Sequence, residues 1–181
     1  MGGISLQRLA RQCRSRVRRP DLFPCRHSRG RGDREAASRG GRALRTARET
    51  SVIIRRGDEF LMLHRAIDDY WHVVAGVVED GETFAEAAAR ELREETALDA
   101  PVVDVRMPQG YRVPDEMRSE YLTGVNQVAI ENFTVEVPMG WEPVLNEEHD
   151  SYKWLTRDDA VAIAHWPETK EVLTVLAEST A

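Results

Sequence analysis

Cysteine is nearly missing from this chain of 181 residues: Cys13 and Cys25 are the only two, and both fall in the first 49 positions. Residues 50–181 therefore offer no disulfide and no thiol chemistry. The five histidines, His27, His64, His72, His149 and His165, stand at no zinc-ligand spacing with a cysteine or with one another. No apolar run is long enough to span a bilayer, and the start of the chain has no apolar signal-peptide core. A reducing cytoplasm is the expected setting. Lysine is absent from residues 1–49, which carry fourteen Arg against four acids.

That imbalance divides the chain. Residues 1–49 sum to +10 and residues 50–181 to −16, which together give the net charge of −6. The first part, rich in Gly, Arg and Ser, has no sustained strand alternation, so residues 1–48 are expected to form a disordered basic extension. A nucleic-acid arm, an organelle-targeting peptide, a membrane-surface helix and an upstream extension without selected function all fit its composition. The second part, residues 49–181, is expected to be one domain, and apolar residues make up 41% of the chain, enough for a core. An acidic protein that handles an anionic substrate needs a metal to mediate the contact.

The chemistry concentrates in GVVEDGETFAEAAARELREETAL, Gly76 to Leu98. Thr83 followed by Glu86 has the form of a capping box, and a helix from Thr83 to Thr96 puts Glu91, Glu94 and Glu95 on one face. Ala85, Ala88 and Leu92 supply a small apolar stripe expected opposite the acids. Like charges at this spacing repel by a few tenths of a kcal/mol per pair (roughly), so the cluster calls for a cation. Hard divalent metals bound through oxygen are the natural candidates. Arg90, four residues before Glu94, would hold the carboxylates in register. Gly76 and Gly81 bracket a tight loop that leaves a short apolar strand, Val73 to Ala75.

These residues resemble the Nudix box, G-x5-E-x7-R-E-U-x-E-E-x-G-U, with Gly76, Glu82, Arg90, Glu91, Leu92, Glu94, Glu95 and Leu98 in place. Ala97 stands where the family has Gly, a position that usually takes the left-handed conformation after a helix. The resemblance implies an α/β/α sandwich with a mixed β-sheet, and a hydrolase in which water attacks phosphorus with Mg2+ or Mn2+ as cofactor. It implies Glu91 and Glu95 as main metal ligands, with Glu94 on a further ion or acting through water. The backbone carbonyl of Ala75 would complete the ligand set, with Glu82, Arg90 and Gly76 supporting it; Glu79 fits either role. The run from Tyr121 to Leu173, with Glu148-His149, Tyr152-Lys-Trp-Leu155 and a helix led by Trp166, resembles the bacterial branch acting on dihydroneopterin triphosphate and dATP. By that resemblance Glu148 is a further metal ligand or the base that activates water, so Glu94, Glu95 and Glu148 form the expected catalytic set.

The other elements follow from pattern. Glu49–Ile54 and Glu59–Arg65 form a hairpin across Arg56-Gly57-Asp58, and Pro101–Val105 is a strand. Arg106–Glu120 is expected as a long polar connection, Tyr121–Val137 as one or two strands, and Tyr152–Leu155 as another. Thr156 caps one helix and Pro167 opens the last, through Ala177. Trp154 and Trp166 are expected in the core, and His72 either packed or aimed at phosphate. Arg112, Arg118 and Tyr121, beside the long connection, are candidate substrate contacts. The expected partner is a phosphorylated small molecule such as a nucleoside or pterin triphosphate, with neither membrane nor nucleic acid; a homodimer stays open. A dinucleoside polyphosphate, a nucleotide sugar or an oxidised nucleotide is the alternative substrate, and a non-catalytic nucleotide-binding module the alternative class.

Overall fold

In the computed structural model, residues 45–178 are described, and β1 (Arg48–Arg56) is the strand around which the rest assembles. Its Ser-Val-Ile-Ile segment, Ser51 to Ile54, is buried throughout because both faces are covered, and β-branched side chains suit such a strand. A hairpin turn with Gly57 at φ 55° returns the chain as β2 (Glu59–Arg65). β3 (Tyr70–His72) pairs with the far end of β2, and β4 (Val74–Val77) pairs antiparallel with the start of β1. The backbone thus changes partner strand between His72 and Val74. β7 (Gln127–Glu136) lies parallel to β1, and β8 (His149–Thr156) covers the other edge of β2, so the sheet is mixed, as expected.

Helix α1 (Phe84–Thr96) covers one face, with Ala88 and Leu92 packed on Val52, Ile54, Leu63, Val74 and Phe133. Burying a leucine such as Leu92 contributes about 1.5–3 kcal/mol. On the other face α2 (Arg157–Ile163) and α3 (Pro167–Glu178) bring Ala160, Val172, Leu173 and Leu176 against Ile53, Phe60, Met62 and Val73. The two layers of helix around one sheet are the expected α/β/α sandwich.

Several boundaries differ from expectation, each for a local reason. The segment expected as a polar connection contains β6 (Gln109–Arg112), paired with β7, and a 3-10 turn at Asp115–Glu120; β5 (Val103–Asp104) precedes it on the same neighbour. β6 was hidden because its apolar content is one Tyr, its pairing being backbone to backbone, with Gly110 lying against the Val128 carbonyl. Tyr121 is not in a strand; it forms an isolated bridge with Arg45. Arg45 also donates its N–H to the Glu120 carbonyl and ion-pairs with Glu49 at 2.7 Å, so the ordered backbone is engaged before the expected boundary at residue 49. The rest of the expected extension, residues 1–44, lies outside the described residues.

Candidate active site

The outer edge of β4 and the face of α1 beside it build the site. Thr83 caps α1 with both halves of a capping box: its side chain accepts from the Glu86 N–H, and Glu86 accepts from the Thr83 N–H. Ahead of the cap, Gly81 at φ 86° turns the loop from β4 into the helix. Arg90 then reaches back across that loop. Its fork donates to both Glu82 oxygens at 2.9 and 3.1 Å, to the Val77 carbonyl at 2.9 Å, to Glu91 at 2.6 Å and to Glu94 at 3.3 Å. One guanidinium therefore ties strand, loop and helix. The hydrogen bonds from Arg90 hold the Glu82 carboxyl below its ordinary range.

The three helix acids occupy unlike environments. Glu94 is exposed. Glu91 is half-buried beside Gly76, where a Cβ would lie 2.5 Å from Glu91 Cγ and nearer still to its carboxylate. Gly76 is thus the cradle of Glu91, and its bare Cα is a steric need. Glu95 is only 4% exposed, with Ala87, Ala88, Leu92 and Thr96 on the buried side of α1, while Ala85 is exposed. The expected apolar stripe opposite the acids is accordingly wrong for Glu95, which faces inward. One Glu95 oxygen is hydrogen-bonded to the Ala75 backbone, and Oε2 is buried with no hydrogen-bond partner. Because N–H and C=O of one strand residue point to the same edge, the Ala75 carbonyl shares the edge that meets Glu95.

Burial is the main cause that pushes the Glu95 carboxyl well above its ordinary range, and Glu91 and Glu148 push the same way. Glu91 is raised too, by burial against the pull of Arg90. Glu148 comes from the turn before β8, half-exposed, with one oxygen 3.3 Å from Arg65 Nη1. Among the described residues no three acids or histidines converge on one point as they stand: Glu91 leans on Arg90, Glu94 reaches solvent and Glu95 bonds β4.

Two histidines complete the wall behind Glu95. His149 Nε2 is 3.8 Å from Glu95 Oε2 and 2.8 Å from His72 Nε2. Burial lowers the His72 pKa to about 3 and also lowers that of His149, so both rings are neutral near pH 7. This pair was missed in the sequence because its members are 77 residues apart and meet only when β3 and β8 flank β2. His72 is packed and does not face solvent.

The expected substrate contacts lie elsewhere. Ala75 sits in one lateral row with Ser51 and Asn132, whereas Arg112 pairs with Gln127, five residues further along β7, about 17 Å at the strand rise of 3.4 Å per residue. There Arg112 lines an open depression with Ala47, Gly124 and Asn126. Arg118 bonds Asp115 and Asn126 on the 3-10 turn. Tyr121 is buried, and its hydroxyl is 2.6 Å from that of Tyr111 beside Glu49, a packing role that leaves no face for a ligand. Glu79, exposed, donates its N–H to a Glu82 carboxylate oxygen and accepts the Glu82 N–H on its own carbonyl, both through its backbone. Trp154 packs on the core as expected, but Trp166 is 39% exposed, at the edge of an aromatic cluster with Tyr70 and His165.

Residues 45–176 match the family model of the NUDIX domain. The chain belongs to the Nudix family. It is 34% identical over 109 residues to the dihydroneopterin triphosphate diphosphatase of Escherichia coli K12, covering 57% of this chain and 72% of that one. It is 32% identical over 120 residues to the asymmetrical bis(5'-nucleosyl)-tetraphosphatase of Mus musculus, covering 64% and 76%. The structure of the E. coli dihydroneopterin triphosphate pyrophosphohydrolase superimposes with a TM-score of 0.68 at 28% identity, over 75% of this chain and 98% of that one. The family and branch resemblance drawn from the Nudix box and the C-terminal run is thereby borne out, as is the enzyme class, a hydrolase of diphosphate-containing substrates.

Nudix hydrolases generally use divalent metals, and two features of the Nudix helix and its strand fit one. Oε2 of Glu95 is a buried carboxylate oxygen with no hydrogen-bond partner, the type of atom a divalent cation would take, and the bare Cα of Gly76 admits the Glu91 carboxylate. Among the described residues no helix is long and apolar enough to cross a membrane.

Proposed function

We propose that the chain hydrolyses a nucleoside or pterin triphosphate by attack of water on phosphorus, with release of pyrophosphate. The observation that carries the reading is the Glu95 carboxylate, buried and half unpartnered beside Glu91 on the Nudix helix. In this reading Glu91 and Glu95 hold Mg2+ or Mn2+, with the Ala75 carbonyl on the same side and Glu94 on a further ion or acting through water. A divalent ion held there neutralises the charge that gathers on the phosphoryl oxygens.

The remaining work falls to the chain. Glu148, half-exposed and tethered to Arg65, takes the proton of the attacking water. Arg90 keeps Glu82, Glu91 and Glu94 in register, and Gly76 leaves the space that the Glu91 side chain fills. The 34% identity to a dihydroneopterin triphosphate diphosphatase favours a triphosphate. The 32% identity to a bis(5'-nucleosyl)-tetraphosphatase keeps a dinucleoside polyphosphate as the second reading. A cytoplasmic setting and the assignment of residues 1–44 to a dispensable extension belong to the same proposal. The test is a panel of triphosphates, dinucleoside polyphosphates and nucleotide sugars with Mg2+, separating phosphate from pyrophosphate. Pyrophosphate and a monophosphate are expected; turnover confined to dinucleoside polyphosphates favours the second reading, and no turnover refutes both.

A further inference from the structure

The wall behind Glu95 has its protons fixed by a chain of contacts that ends on Asn146. The Asn146 side-chain oxygen accepts the Glu148 backbone N–H at 3.1 Å and lies 3.0 Å from His149 Nδ1. A backbone N–H only donates, so the Asn146 atom it meets is the oxygen, and His149 Nδ1 must carry the hydrogen it receives. A neutral imidazole has one N–H, which leaves His149 Nε2 with a lone pair. The 2.8 Å contact between the two Nε2 atoms then needs a proton from the other ring, so His72 donates and His149 accepts. Neither ring aims a hydrogen at Glu95, and its Oε2, 3.8 Å from His149 Nε2, has no hydrogen-bond partner.

We propose that His149 is a positioning residue, locked by Asn146 in the tautomer with hydrogen on Nδ1 and capped by the Nε2–H of His72, so that it walls Glu95 without donating to it. The inference rests on the reading of Glu95 as a metal ligand. A ring nitrogen that carried hydrogen on the Glu95 side would make a charge-assisted bond to the same oxygen that a cation needs. The lock removes that competitor. It also explains why two imidazoles, which ordinarily seek polar partners, are spent on each other next to an orphaned carboxylate oxygen.

The test uses the full chain, labelled with 15N at histidine. Long-range 1H–15N spectra at pH 7, with signals assigned by loss in His72→Gln and His149→Gln, are expected to place hydrogen on Nδ1 of His149 and Nε2 of His72. Hydrogen on Nε2 of His149 in the wild-type protein overturns the proposal. Asn146→Ala is expected to release the ring to its other tautomer and to weaken Mn2+ binding, read from free Mn2+ by EPR, by about tenfold. A ring that keeps its tautomer in that variant, or one that switches while Mn2+ affinity stays at the wild-type level, overturns it as well. If instead Glu95→Gln binds Mn2+ as tightly as the wild type, the metal-ligand reading itself fails and takes this inference with it. Should Asn146→Ala not fold, the wild-type spectrum alone decides.

Discussion

Gly76→Ala separates the geometry of the acid cluster from the stability of the fold. Gly76 is not among the glycines with positive φ, so alanine meets no backbone strain. The clash is with Glu91: the new Cβ would lie 2.5 Å from Cγ, against 3.4 Å for ordinary contact, and closer to the carboxylate. Cγ must move by about 1 Å and the carboxylate further, and a misplacement of roughly 1 Å can cost about a hundredfold in rate. Glu91 is also held by Arg90 at 2.6 Å, so the retreat strains that contact. Overpacking costs about 1–3 kcal/mol, and the loss of glycine freedom in the unfolded chain offsets about 0.4–1 kcal/mol. We expect Tm lower by up to about 10 °C, kcat lower by about a hundredfold and Mn2+ affinity lower by tenfold or more. Thermal melts, pyrophosphate release and Mn2+ titration by EPR read the three quantities. Wild-type kcat and Mn2+ affinity in a folded Gly76→Ala protein would refute the cradle argument.

Ala97 ends α1 at φ 56°, the left-handed region, so Ala97→Gly should stabilise by about 1 kcal/mol and raise Tm by about 2–4 °C; an unchanged Tm would contradict this. His64 contacts Asp150 at 2.7 Å and Asp69 at 3.1 Å, and these bonds raise its pKa above 6.5. Its contribution is therefore fully present below pH 6.5 and fades as pH rises through the folded value, so His64→Gln in EDTA should flatten the fall of Tm over that window. A truncation at residue 43 should leave kcat and Tm unchanged. Removal of residues 1–46, harmless by the composition of the segment, deletes Arg45 and its bond to Glu49, and is expected to cost about 1–3 kcal/mol in a thermal melt.

The helix end of the site was legible because its signals are local. A capping box, the spacing of Glu91, Glu94 and Glu95, and an Arg at the right interval act within a few turns, and the fold returned α1 with Thr83 as its cap. The paired strands β1 and β2, the Thr156 cap of α2 and the start of α3 at Pro167 were legible for the same reason. What escaped was non-local. The helical period alone puts the three acids on one face and is silent on which of them turns inward, because the position of α1 over β4 decides that Glu95 is buried. The His72–His149 pair depends on β3 and β8 sharing β2, and the burial of Tyr121, a candidate substrate contact, was not legible because its partners, Tyr111 and Glu49, lie 10 and 72 positions away. β6 escaped because backbone pairing leaves little trace in side-chain pattern.

The central claim, that Glu95 on the Nudix helix sustains metal-dependent water attack on phosphorus, is tested most directly by one comparison of wild type with Glu95→Gln. Both proteins would turn over the best triphosphate of the panel in 18O-labelled water, with Mg2+ and with EDTA, and the products would be read by 31P NMR. The account predicts Mg2+-dependent release of pyrophosphate with the label on phosphorus, and a kcat for Glu95→Gln at least about a hundredfold lower in a protein that stays folded. Turnover that persists in EDTA, or equal rates for the two proteins, would contradict it.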